Sequence, residues 1–228
     1  MDENNALAKP STAFNMSSIN LADYKDYVVV AQTGVTVTPY PFERLKFEQG
    51  RNTRFAILTD EVLVLKRHYT AELGYFLCNG GECCRLTEKS PSVVYIYPVV
   101  QYIDCSDKGK PLSDKIQVRL LQCNKDMYTY LTSIKEVKGD LTQFDFLGTK
   151  IPGSEKFQKT QLMEAGPSLW KNNEKSILYV TDYMRQNEDR LLSSVGKIYT
   201  DEKLRELLGE ANAITEVSEQ DVDDIFRT

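Results

Sequence analysis

From residue 21 to about residue 161 the chain sets short apolar runs between clusters of turn residues. The runs at 27–31, 35–38, 54–58, 74–78, 93–103, 115–123, 143–148 and 157–162 read as β-strands. The breaks carry turn chemistry: Gln32-Thr33-Gly34, Asn79-Gly80-Gly81, the 107–111 segment ending in Pro111, and Ile151-Pro152-Gly153-Ser154. One helix is expected between them, over 125–137, with Asn124 as its N-cap and Gly139 just past its end. Many short strands with a single helix predict a small barrel or sandwich rather than an alternating parallel α/β sheet.

After Pro167 the pattern becomes helical. Over 170–192, Ile177, Val180, Tyr183 and Met184 share one stripe, and a second helix is expected over 201–212 with Thr200 as cap and Leu204, Leu207 and Leu208 as its apolar face. Four segments follow: a polar arm over 1–20, a strand-rich domain over 21–166 with an insertion at 66–86, a helical extension over 167–212, and an acidic tail over 213–228 expected to be disordered. The fold class is mainly β with added helices (α+β).

Charge refines the picture. The chain carries −5 overall, but the five acids and one Arg of 215–228 account for −4, so the preceding body is close to neutral. A protein that coats duplex DNA by bulk charge is therefore not expected, although a local basic groove is compatible with these totals. The longest apolar stretches, 27–31 and 93–100, fall far short of the roughly 20 residues that span a bilayer, and 1–20 has no basic segment followed by an apolar core. A cytoplasmic chain with reduced cysteines and no membrane partner is expected.

The histidine inventory excludes several enzymes. There is one histidine, His68, whereas H-E-x-x-H zinc proteases need two, and the H-x-E of zinc deaminases fails because Tyr69 and Thr70 follow. The nearest approach to a phosphate loop, residues 148–155, lacks the Lys that should follow its second Gly. No paired acidic motif suggests a metal nuclease, and no catalytic residue is assigned.

His68 instead lies close to three of the five cysteines, Cys78, Cys83 and Cys84. A turn at 79–81 would fold Cys78 back toward Cys83 and Cys84, and a strand at 74–78 beside the 66–69 end of its neighbour would bring His68 to the same place. Thiolates and an imidazole suit tetrahedral Zn²⁺, and a site ligated wholly by protein would be structural. Adjacent cysteines strain joint chelation, so Cys84, Cys105 or a water completes the set. Such a site supplies on the order of 10 kcal/mol of coupled folding free energy. The alternative is a buried histidine among apolar, reduced cysteines.

Alternation along 93–103 puts Val94, Ile96, Pro98 and Val100 on one face and Tyr95, Tyr97 and Gln101 on the other. Two tyrosines at that spacing match a stacking platform for successive unpaired bases. Arg119 lies opposite Val118 and Leu120, Arg51 and Arg54 precede the 55–58 strand, Lys66 and Arg67 abut His68, and Lys171 follows Trp170. Together these eight residues, Arg51, Arg54, Lys66, Arg67, Tyr95, Tyr97, Arg119 and Lys171, are the candidate nucleic-acid contacts. Trp170, the only tryptophan, is placed either to stack a base or, as favoured here, to lock the helical extension to the barrel. The tail joins acids to terminal apolar groups in Asp221, Asp223, Asp224, Ile225 and Phe226, a pattern suited to docking in basic, apolar pockets on partners or to competing for the protein's own groove.

With its His68–Cys78–Cys83–Cys84 cluster, strand-rich 47–162 core and Asp-Asp-Ile-Phe terminus, the chain resembles phage-type single-stranded DNA-binding proteins. The resemblance implies a five-stranded OB-fold barrel with extra strands and an inserted zinc site. It also implies sequence-tolerant coating of unpaired DNA in replication, recombination or repair, with the tail recruiting replication or repair proteins. In such proteins the last two zinc ligands are typically spaced C-x2-C, whereas Cys83 and Cys84 are adjacent. Arg227 and Thr228 follow the terminal Phe here. The competing expectation is a zinc-stabilised protein–protein adaptor or phage-encoded inhibitor that touches no nucleic acid.

Overall fold

The computed structural model describes residues 42–80, 82–87, 89–151 and 160–208. The polar arm, the runs at 27–31 and 35–38, and the tail with Asp221, Asp223, Asp224, Ile225 and Phe226 lie outside the described residues. The strands are β1 (Glu43–Arg44), β2 (Thr53–Ile57), β3 (Leu63–Thr70), β4 (Gly74–Leu77), β5 (Ser92–Tyr102), β6 (Ile116–Cys123), β7 (Phe144–Lys150) and β8 (Thr160–Pro167). The helices are α1 (Glu82–Leu86), α2 (Lys125–Lys138), α3 (Glu174–Asn187), α4 (Leu191–Val195) and α5, over 201–208. The fold is mixed α+β, built on one eight-stranded sheet.

β5 organises the sheet. One of its edges pairs antiparallel with β6 from Tyr95 to Tyr102, while the other is shared, β3 taking Ser92–Ile96 and β2 taking Val99–Gln101. Pro98 sits at the fork. Its carbonyl accepts from Leu58 N at 3.0 Å, and the N–H it lacks would point to the same edge, where the ladder is already interrupted. One arm of the fork continues through β2 to β7 and β8, and the other through β3 to β4. The expected closed barrel is not formed among the described residues. β1 pairs in parallel with the outer edge of β6, and β8 pairs only with β7, so the sheet stays open.

Both faces of the central strands of the sheet are covered. On one, Val94, Ile96, Val100 and Tyr102 pack with Leu65, Val118 and Leu120 against Trp170, Val180 and Met184 and the fully buried Leu191 and Leu192. On the other, Tyr97 and Val99 pack with Phe55, Leu121 and Phe146 against Met127 and Leu131 of α2. Burial of this apolar area on two sides drives the assembly at roughly 25 cal/mol per Å². α2 is capped as its sequence predicts: Asn124 Oδ1 accepts from Met127 N at 2.9 Å, and Gly139 closes the far end. Trp170 is 3% exposed within the first core, which assigns it the structural role. The expected 170–192 helix is divided into a 3₁₀ turn at Trp170–Asn172, α3, a second 3₁₀ turn at Glu188–Arg190 and α4; Asn173, capping α3 through Ser176 N, sets the first break.

Candidate metal centre and aromatic–cationic hairpin

β3 and β4 form a hairpin that reaches beyond the start of β5. A three-residue loop joins them, and Gly74 closes it at φ +68, a conformation side chains avoid. Directly paired residues share a face, so His68 and Phe76 point one way while Arg67, Tyr69, Tyr75 and Leu77 point the other. The first face is covered by α1 and α5: Phe76, Cys83, Tyr199, Leu204 and Leu208 make a small third core.

His68, 2% exposed, meets the cysteines there. The nearest ligand atoms of His68, Cys78 and Cys83 lie within 4.8 Å of one another, a group that could hold a metal ion. Cys84 joins them: its Sγ is 3.3 Å from Cys78 Sγ and 3.6 Å from His68 Nε2. Bonds of roughly 2.0–2.3 Å to a tetrahedral Zn²⁺ require ligand atoms some 3.5–3.8 Å apart; the separations of Cys84 from Cys78 and His68 lie near that value, while the mutually close group is His68, Cys78 and Cys83 alone. None of the five cysteines is in a disulfide. Burial pushes the Cys83 thiol up to about 12, aided by Cys78, and holds the His68 imidazole below its ordinary value. A bound divalent cation would reverse the cost of the thiolates. Cys105 is elsewhere, its thiol 3.6 Å from the carbonyl of Tyr102, and so does not complete the cluster.

The opposite face of the hairpin is open. Tyr69 and Tyr75 are 55% and 58% exposed, their ring centroids 4.9 Å apart. The Arg67 guanidinium lies 4.4 Å over the Tyr75 ring. Burial lowers the pKa of Arg67, Tyr75 opposes that shift, and the neighbouring positive charge of Arg44 adds to it. Arg67 Nε is buried without a hydrogen-bond partner. Arg44, with Lys46, Arg51 and Arg119, also lines a groove of about 250 Å³ beside β1, together with Glu43 and Glu48.

The expected contacts are therefore only partly gathered. Lys66 is exposed on the His68 side of the hairpin, and the half-buried Arg67 lies on the aromatic side. Arg51 and Arg119 share the groove, Arg51 within 3.6 Å of Glu48 and Arg119 paired with Glu43. Tyr95 and Tyr97 do lie on one face, but α2 covers it: Tyr97 is 3% exposed, and Tyr95 stacks on Tyr128 with centroids 3.9 Å apart. Of the two tyrosines expected to form a platform on β5, Tyr97 is thus core and Tyr95 is half-buried against α2. Arg54 is also internal, held by Asp145, and Lys171 is half-buried, donating to Thr142 Oγ1 at 3.0 Å. Tyr69, Tyr75, Arg44 and Lys46 were not among the expected contacts; the signal for the tyrosines is their symmetric placement about the hairpin loop.

Comparison of the chain with known protein families, curated proteins and solved structures returns no match. Among the described residues no helix is long and apolar enough to cross a membrane.

Proposed function

We propose that this protein binds single-stranded DNA without strong sequence preference, stacking bases on the β3–β4 hairpin and taking phosphates on the cations beside it. The observation that carries this reading is the exposed Tyr69–Tyr75 pair with Arg67 laid over one ring. Every base has a π-face, so such rings accept any sequence, at about 1–3 kcal/mol per stacked base. Arg67 and Arg44 are like charges in mutual range, a combination that a phosphate relieves. The groove lined by Arg44, Lys46, Arg51 and Arg119 extends the path for the backbone.

On this reading the order β2/β3, β5, β6, α2, β7, β8 is an opened variant of the OB-type plan, with the hairpin and α1 inserted between its first two strands. His68, Cys78, Cys83 and Cys84 hold a structural Zn²⁺ that fixes the back of the hairpin. The zinc supplies folding free energy and no reaction step. The acidic tail recruits replication or repair proteins, and no catalysis is assigned.

The test is fluorescence anisotropy of labelled oligo-dT against a duplex of equal length, titrated across salt. Preferential binding of the single strand, with a log–log salt slope of roughly −0.7 per phosphate contacted, supports the proposal. Equal affinity for duplex, or no binding to either at low salt, overturns it and leaves the protein–protein adaptor.

A further inference from the structure

We propose that Thr87 is a positioning residue of the metal centre, its hydroxyl accepting the Nδ1–H of His68 so that Nε2 keeps its lone pair free for a metal ion held beside the cysteine sulfurs. This rests on the reading that the cluster holds a metal.

Thr87 Oγ1 is 2.9 Å from His68 Nδ1 and 2.9 Å from the carbonyl oxygen of Cys83. The other groups in range, the carbonyls of Cys84 at 3.4 Å and Lys89 at 3.5 Å, are also acceptors. A hydroxyl has one proton, and three carbonyls compete for it, the closest being Cys83. Its lone pairs then remain for the imidazole, which must donate through Nδ1. The opposite ring nitrogen, Nε2, is the one 3.6 Å from Cys84 Sγ. One side chain therefore ties the ligand histidine to the backbone of Cys83, and the backbone of Lys89, which also bonds the imidazole, shares in holding the ring. Partners of this kind behind metal-ligating histidines raise metal affinity by orienting the ligand.

The chain has one histidine, so every imidazole signal in an NMR spectrum belongs to His68. Long-range ¹H–¹⁵N correlation on the metal-free and zinc-loaded full chain reads its tautomer directly, and competition with a chromophoric chelator reads zinc affinity. Wild type is expected to carry the proton on Nδ1 in both states. In the metal-free chain Thr87→Val is expected to weaken that preference, and about 10–100-fold in zinc affinity is expected to be lost with it, Thr87→Ser restoring both. A wild-type proton on Nε2, or a Thr87→Val chain with unchanged tautomer and affinity, overturns the proposal. If Thr87→Val does not fold, the wild-type tautomer and the Thr87→Ser affinity decide, a loss with Ser counting against the hydroxyl. A wild-type chain that binds no zinc overturns the metal reading itself, an outcome distinct from zinc binding that ignores position 87.

Discussion

Arg54 and Asp145 form an ion pair inside the molecule: Arg54 Nε donates to Asp145 Oδ2 at 2.8 Å, and Asp145 is wholly buried. The second carboxylate oxygen accepts from Tyr102 at 2.8 Å, and the same hydroxyl receives Trp170 N at 2.9 Å. This chain of bonds ties β2, β7 and β5 to the start of the helical extension. Arg54→Met leaves a buried carboxylate without its partner and is expected to cost about 3–5 kcal/mol in urea unfolding. A loss below about 1 kcal/mol would show that the pair is not structural.

Asp140 gives stability a defined pH dependence. Burial pushes its carboxyl up, but hydrogen bonds from Gln143 and Thr142 and the charge of Lys171 outweigh that and hold it below the ordinary 3.8. A depressed carboxylate stabilises the fold above its unfolded pKa and loses that contribution as pH falls through its folded value. Stability should therefore decline on acidification below about pH 4 less steeply in Asp140→Asn than in wild type, as followed by thermal melts. Parallel declines would remove Asp140 from the explanation.

Gly148 on β7 leaves room for Phe47. A Cβ there would sit 2.0 Å from the Phe47 ring, which also packs 6.0 Å from Phe55. Gly148→Ala is expected to cost about 1–3 kcal/mol by overpacking, and Gly148→Ala with Phe47→Leu to recover part of it. Unchanged stability in the single variant would mean the ring moves freely.

On the proposed zinc reading, removal of the metal should unfold the hairpin side first. Chelation, or Ser at Cys78, Cys83 or Cys84, is expected to lower Tm by about 2–4 °C for each kcal/mol of metal coupling lost. Cys105→Ser should leave zinc content unchanged, because that thiol lies against Tyr102 instead. Zinc lost with Cys105 and kept without Cys84 would reverse the ligand assignment.

The strands and helices whose burial follows from local pattern were legible in the sequence. β5 and β6 begin and end within one residue of their expected bounds, and Asn124 and Gly139 bound α2 as read. α1 escaped because five residues present no helical period, and the full length of β3 was obscured by Lys66-Arg67-His68 in its middle. Alternation put Tyr95 and Tyr97 on one face but carries no information about what covers that face. Met127 and Leu131 of α2 cover it. The grouping of His68 with Cys78 and Cys83 was legible because these residues lie close in sequence, whereas the Tyr69–Tyr75 pair needed the register of a three-residue loop.

The most direct measurement is oligo-dT affinity of the Tyr69→Ala, Tyr75→Ala double variant beside wild type, with Tm measured on both. Because the rings are more than half exposed, Tm should hold while affinity falls by about 1–3 kcal/mol per ring, roughly 5- to 150-fold each. Wild-type affinity in a folded double variant would contradict single-strand binding on this hairpin.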